Sequence, residues 1–275
     1  MNYMVKDVKY DGDIAEYLAK VTQVVYDKDE PSSYPDRLLT RLAKESYGDT
    51  ASHVLSFVPC ILKGGDYDYF NTLKENTSPI ILDYYGYEAI TPTAPNEQET
   101  IYVTSARELL NVGFSIEQVA KVVDFSYFRT VTMVMPNFAY AQLRTHSKVV
   151  MLQQSNRYTT SKYGYWYPPE FADYYLSNSN VSRYEMTSQE YWDNMVEHST
   201  PTELTAFMKD ELGVKREVYS RGRDMLQIRV CSLGFDMLNP NSYQHFINER
   251  MRSSHTQQAT REVVKAIFEH IAYPV

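Results

Sequence analysis

Residues 142–158 read Gln-Leu-Arg-Thr-His-Ser-Lys, then Val-Val-Met-Leu, then Gln-Gln-Ser-Asn-Arg-Tyr. This run concentrates side chains able to hold an anion. Arginine suits a phosphate because its planar fork donates two parallel, charge-assisted hydrogen bonds. A short strand ending in Ser155-Asn-Arg157-Tyr158 would present a hydroxyl and a guanidinium at one edge. His146 is of a type that donates to phosphate or stacks on a ring. Singly, such residues are commonplace: a lone Arg is usually solvated and a lone His usually structural. Their grouping coincides with a charge anomaly. Residues 125–169 contain no Asp or Glu, where the chain's average density would place about six. They carry Arg129, Arg144, Lys148, Arg157 and Lys162 instead. A cationic patch in an acidic chain suits one small anionic ligand, although an aromatic, strand-rich segment that merely lacks acids would give the same count.

The elements that must position these groups follow from periodicity. Residues 129–135 are β-branched enough for a strand. Pro136-Asn137 opens a short helix through Leu143, and residues 149–152 form a second strand. Residues 163–169, Tyr-Gly-Tyr-Trp-Tyr-Pro-Pro, form an aromatic loop stiffened by two prolines. Upstream, helices are expected over 13–27, capped by Asp13, and over 35–46, with Pro35 in the first turn. Residues 63–98 are loop-rich, with Gly64-Gly65, Pro79, Pro92 and Pro95. Residues 105–123 read as two short helices broken at Gly113. The C-terminal third reads as helical: 190–197, then 201–211 capped by Thr200. A short helix with Arg216, Arg221 and Arg223 follows Gly213. A long final helix runs from Asn239-Pro240 to about Ile271, with Arg250, Gln257 and Arg261 spaced to share a face.

Composition excludes several classes. The 275 residues carry a net charge of −8 and lack the basic footprint of a general nucleic-acid binder. No apolar run approaches the roughly 20 residues of a membrane span. The acidic N-terminus has no apolar h-region, so no signal peptide is expected. Cys60 and Cys231 lie far apart without a C-x-x-C, which fits buried thiols in a reducing cytoplasm rather than a disulfide framework or metal site. No phosphate-binding glycine loop, H-E-x-x-H or G-x-S-x-G is present, and His245 and His255 are too far apart on a helix to share a metal.

The run around His146 resembles the signature of flavin-dependent thymidylate synthases, R-H-R-x7-S-x-R-Y, preceded by a Gln. Ser155, Arg157 and Tyr158 align with its end, His146 with its His and Gln142 with its Gln. Further blocks follow in order: Tyr165-Trp-Tyr-Pro168-Pro-Glu170, then Gly213-Val-Lys-Arg216-Glu217. Asn239-x-x-Ser242-x-x-x-Phe246-x-x-x-Arg250 comes next, and Gln257-x-x-x-Arg261 closes the series. The resemblance covers about residues 129–270. It implies an α+β fold in which a central antiparallel sheet is flanked by helices and followed by a long C-terminal helix. This domain would span residues 101–275, after an N-terminal extension of residues 1–100 with no assigned role.

The resemblance implies methylation of dUMP to dTMP, with FAD as cofactor and methylenetetrahydrofolate and NADPH as co-substrates. It implies a cytoplasmic homotetramer with sites shared between subunits. Ser155 and Arg157 would serve catalysis. Gln142, Gln153, Ser155, Arg157, Arg221 and Arg250 would bind the nucleotide, and Arg144, His146 and Asn239 the flavin. The sequence also departs from the pattern. Thr145 and Ser147 replace both signature arginines. Leu152 and Gln153 stand where the family has Asn and Glu, Ser220 where its next Arg falls, and Asn241 where N-x-R-S has Arg. These changes leave an alternative: a divergent relative that acts on, or only binds, another pyrimidine nucleotide.

Overall fold

The structure, a computed structural model, describes residues 1–12, 14–22, 58–62, 102–119, 121–125, 128–146, 149–156, 161–178, 186–214, 222–237, 240–253 and 256–272. The expected helix over 35–46, the loop-rich stretch 63–98, the Asp13 cap and the stretch holding Arg216 and Arg221 lie outside them. Arg157, Tyr158 and Asn239 do as well.

The framework is an antiparallel four-stranded sheet in the order β1-β4-β6-β5, formed by β1 (Lys6–Val8), β4 (Phe128–Pro136), β5 (Val149–Gln153) and β6 (Ile228–Asp236). The α+β class and the antiparallel sheet therefore hold. β2 (Pro59–Leu62) and β3 (Tyr102–Ser105) form a separate two-stranded ladder. β4 and β6 pair along their whole length, from Phe128 opposite Asp236 to Pro136 opposite Ile228. Both strands are almost continuously buried because each sheet face is covered. One face packs Val131, Met133, Leu233 and Phe235 against Phe246, Val263 and Ile267. The other packs Phe128, Val150 and Leu152 against Tyr17, Leu18 and Leu109. Tyr17 belongs to α1 (Ile14–Thr22), and its hydroxyl hydrogen-bonds Thr130 on β4.

Continuous burial explains why β6 escapes a pattern-based reading. The sequence Ile-Arg-Val-Cys-Ser-Leu-Gly-Phe-Asp shows no simple in-out alternation and contains a glycine, so the C-terminal third reads as entirely helical. The structure corrects this: β6 is an inner strand, paired on both sides. Gly234 is required there, because a Cβ would lie 2.6 Å from Phe128 Cζ.

The helices follow local signals more closely. α2 (Ala106–Asn111) and α3 (Ile116–Val119) are separated at Gly113, whose φ is 99°. α4 (Asn137–Leu143) begins directly after Pro136. α5 (Pro169–Ser177) starts on the second proline of the aromatic loop. α6 (Ser188–His198) and α7 (Pro201–Ala206) both carry capping boxes, Thr187 with Glu190 and Thr200 with Glu203. The helix expected to reach residue 211 changes instead to a π turn at Phe207–Glu211. α8 (Arg223–Leu226) leads into β6.

The long final helix is also corrected. It is two helices, α9 (Pro240–Arg252) and α10 (Gln258–Ala272). The break falls between Arg252 and Gln258, and the intervening Ser-Ser-His-Thr-Gln is rich in residue types that favour turns over helix interiors. Thr256 N donates to Ser253 O at 3.2 Å, and Arg261 Nη2 caps the same carbonyl at 2.7 Å. Arg250 and Arg261 thus sit on different helices, with Gln257 between them. No described helix is long and apolar enough to cross a membrane.

Candidate functional site

β5 divides the expected site into two groups. α4 enters it from one end, and the Ser155 segment leaves it from the other. Val149 faces Phe235 and Gln153 faces Cys231 across the ladder. Four strand steps of roughly 3.3 Å place these two ends about 13 Å apart.

At the α4 end stand Gln142, Arg144, Thr145, His146 and Arg250. Arg144 is exposed at the C-cap of α4. It interacts with Tyr140, whose phenol burial pushes up to about 12, Arg144 offsetting part of that rise. Tyr140 in turn donates to Met151 O at 3.3 Å, which fixes α4 on β5. Thr145 Oγ1 donates to Gln142 O at 2.8 Å and lies 2.6 Å from Arg250 Nη2 on α9. The His146 ring stands 5.3 Å from His245 and meets Phe246 edge-on at 5.3 Å. Gln142 Oε1 and Arg250 Nε are buried with no hydrogen-bond partner. Buried polar atoms are nearly always satisfied, so each such atom calls for an explanation.

At the other end lie Gln153, Ser155 and a group that the sequence reading missed. Arg229, on β6 and only 8% exposed, donates through Nη2 to Asp224, through Nε to Gln227 Oε1 at 3.0 Å and through Nη1 to Gln153 Oε1 at 3.4 Å. Asn137 holds the other oxygen of Asp224 at 3.0 Å. Asn156 donates to Gln227 Oε1 at 2.8 Å. Gln153 Nε2 is buried without a hydrogen-bond partner by geometry, although the amide lies close enough to Cys231 to ease ionisation of that thiol slightly. Burial dominates and raises the Cys231 thiol far above its ordinary range. The signal for Arg229 was present in the sequence as an arginine inside an apolar run, and it was hidden because that run was not read as a strand.

The aromatic loop buttresses this end. Tyr165 bridges Gln227, Trp166 N donates to Leu226 O at 2.9 Å and Ile228 N to Gly164 O at 3.0 Å. α6 clamps the loop from outside: Trp192 Nε1 donates to Trp166 O at 3.1 Å, and Asp193 accepts from Tyr165 N at 2.9 Å. Burial raises the Asp193 carboxyl, against the lowering effect of its hydrogen bonds. Gly164 has a φ of 68° and leaves room for Asp193, whose Oδ2 would lie 2.2 Å from an added Cβ.

Two further cations of the patch are engaged within the protein. Arg129 pairs with Asp7 of β1 at 3.0 Å, and Lys162 extends over the Tyr163 ring at 6.0 Å. A cleft of about 490 Å³ lies elsewhere, between the aromatic loop and α10, lined by Trp166, Pro168, Glu170, Val214, Arg261 and Glu262 among others. Among the described residues, no group of His, Cys, Asp and Glu is arranged to hold a metal.

The sequence matches no protein-family model and no curated protein. Among solved structures, the chain is similar to the UMP/dUMP methylase PolB from Streptomyces cacaoi. In its complex with 5-Br UMP the likeness covers 53% of this chain and 69% of that one, at 16% identity and a TM-score of 0.33. In its complex with 5-Br dUMP it covers 53% and 65%, at 18% identity and a TM-score of 0.32. Likeness this slight leaves the site to be argued from the chain's own residues.

Proposed function

We propose that this chain binds a pyrimidine nucleotide and methylates its base, as a divergent relative of the flavin-dependent thymidylate synthases. The supporting observation is the pair of unsatisfied buried atoms Gln142 Oε1 and Arg250 Nε at one end of the site. Both residues were assigned to the nucleotide from the motif order alone, and together they offer a donor and an acceptor. A ligand with carbonyl, N–H and phosphate groups would satisfy them.

In the full reading the substrate is dUMP, the carbon donor methylenetetrahydrofolate and the reductant NADPH. FAD would carry the hydride. The α4 end carries two of the residues assigned to that cofactor: Arg144 is exposed, a position suited to an anionic group, and the His146 ring meets Phe246 edge-on at 5.3 Å. The chain's own residues would orient the reactants and stabilise charge. Ser155 and Arg157 would hold the nucleotide, Arg157 by its fork. Because the two groups flank opposite ends of β5, neighbouring copies in a homotetramer would complete each site.

Thr145 favours a second reading. It fills a position where the resembling signature has an arginine, and it already engages Arg250. A relative that binds another pyrimidine nucleotide would tolerate that change. The test is an absorbance spectrum of the purified protein with mass spectrometry of co-purifying ligands. A flavin band and a uridine nucleotide support the full reading, and a different pyrimidine nucleotide supports the second. A colourless protein free of nucleotides after flavin and dUMP have both been supplied contradicts both.

A further inference from the structure

We infer that Arg229 reads a base carbonyl, so that the bound pyrimidine must present an oxygen, and not an amine, at the Gln153 end of the β5–β6 ladder. This rests on the nucleotide reading above.

A guanidinium has five N–H donors and no acceptor. Three of the Arg229 donors are committed, to Asp224, Gln227 and Gln153. Each of the three guanidinium nitrogens is thereby tied to a partner. Two N–H groups, one on Nη1 and one on Nη2, have no partner among the described residues. Asp224 decides which ligand atom suits them. Its carboxylate neutralises Arg229 and would repel a phosphate dianion placed alongside. An uncharged acceptor meets no such repulsion, and a carbonyl oxygen has two lone pairs for the two donors. An exocyclic amine in the same place would set N–H against N–H.

The neighbouring chain places Ser155 beside this arginine. Gln154 N donates to Val230 O at 2.9 Å, and Val230 N to Gln154 Oε1 at 3.3 Å. Asn156 is tied to Gln227, itself a partner of Arg229. Ser155 lies between these two anchors, so a nucleotide held at Ser155 is brought to Arg229.

The discriminating pair is dUMP and dCMP, which differ in a carbonyl against an amine. Calorimetric titration of the full-length protein should show preference for dUMP. Arg229→Gln should weaken dUMP binding about tenfold and leave dCMP nearly unchanged, because glutamine offers donor or acceptor by turning its amide. A purely structural role for Arg229 would weaken both equally, and that result overturns the inference. Asp224→Asn alters an exposed side chain and removes the carboxylate that orients Arg229. It should also narrow the dUMP-to-dCMP ratio, and it decides the matter if Arg229→Gln does not fold. A wild-type preference for dCMP overturns the inference alone. Wild-type protein that binds neither nucleotide overturns it together with the nucleotide reading.

Discussion

Arg250 Nη2 lies 2.6 Å from Thr145 Oγ1, joining the last turn of α9 to the end of α4. The position at which the resembling signature carries an arginine is thus engaged by an arginine from another element. The guanidinium keeps a second, unpartnered donor at Nε. Arg250→Ala is expected to weaken nucleotide binding by at least about tenfold, the scale of one charge-assisted hydrogen bond. Titration calorimetry, with circular dichroism to confirm an unchanged fold, checks this.

Gly234→Ala is expected to destabilise the protein. The new Cβ would press on the Phe128 ring at 2.6 Å and on Val150 at 3.4 Å, between paired strands that cannot separate locally. Overpacking of this kind costs about 1–3 kcal/mol. For a chain of this size that lowers Tm by roughly 2–12 °C. An unchanged melting curve would mean that β4 and β6 do not face each other in this register.

The two thiols should be inert in the native protein. Burial raises Cys60 to about 12 and Cys231 further, so at pH 8 almost no thiolate exists to react. Iodoacetamide should modify neither cysteine before unfolding and both after it, as read by intact mass.

The legibility of the chain varied with how local each signal is. α4, the strand start at Val149 and the Thr200 cap were readable because proline, β-branching and capping chemistry act within a few residues. β6 was not readable, because a strand buried on both faces loses its alternation and only pairing with β4 and β5 reveals it. The division between α9 and α10 was missed for a related reason: Ser253 to Gln257 contains no glycine or proline, and the competing bonds at Ser253 depend on Arg261. In the candidate site, Gln142, Gln153 and Arg250 were assigned by motif order. Arg229 depended on the unseen strand, and the separation of the site into two ends depended on the β5–β6 register.

The capping boxes give a pH dependence with a defined sign. Glu190 and Glu203 each accept the backbone N–H and side-chain hydroxyl of their cap threonine, which lowers both carboxyls below 4.5. A carboxyl depressed on folding stabilises the native state above its unfolded pKa, and that contribution is lost as pH falls through the folded value. Stability should therefore decline below about pH 4.5. Glu190→Gln with Glu203→Gln should flatten that part of the curve, as followed by urea midpoints between pH 3 and 6.

The central claim is a pyrimidine-nucleotide site that includes the segment from Ser155 to Arg157. Titration of dUMP into wild-type protein and into Arg157→Ala tests it most directly. The expected result is saturable binding by the wild type and loss of binding in the variant, with the oligomeric state unchanged by light scattering. Equal affinity in the two proteins would contradict the account.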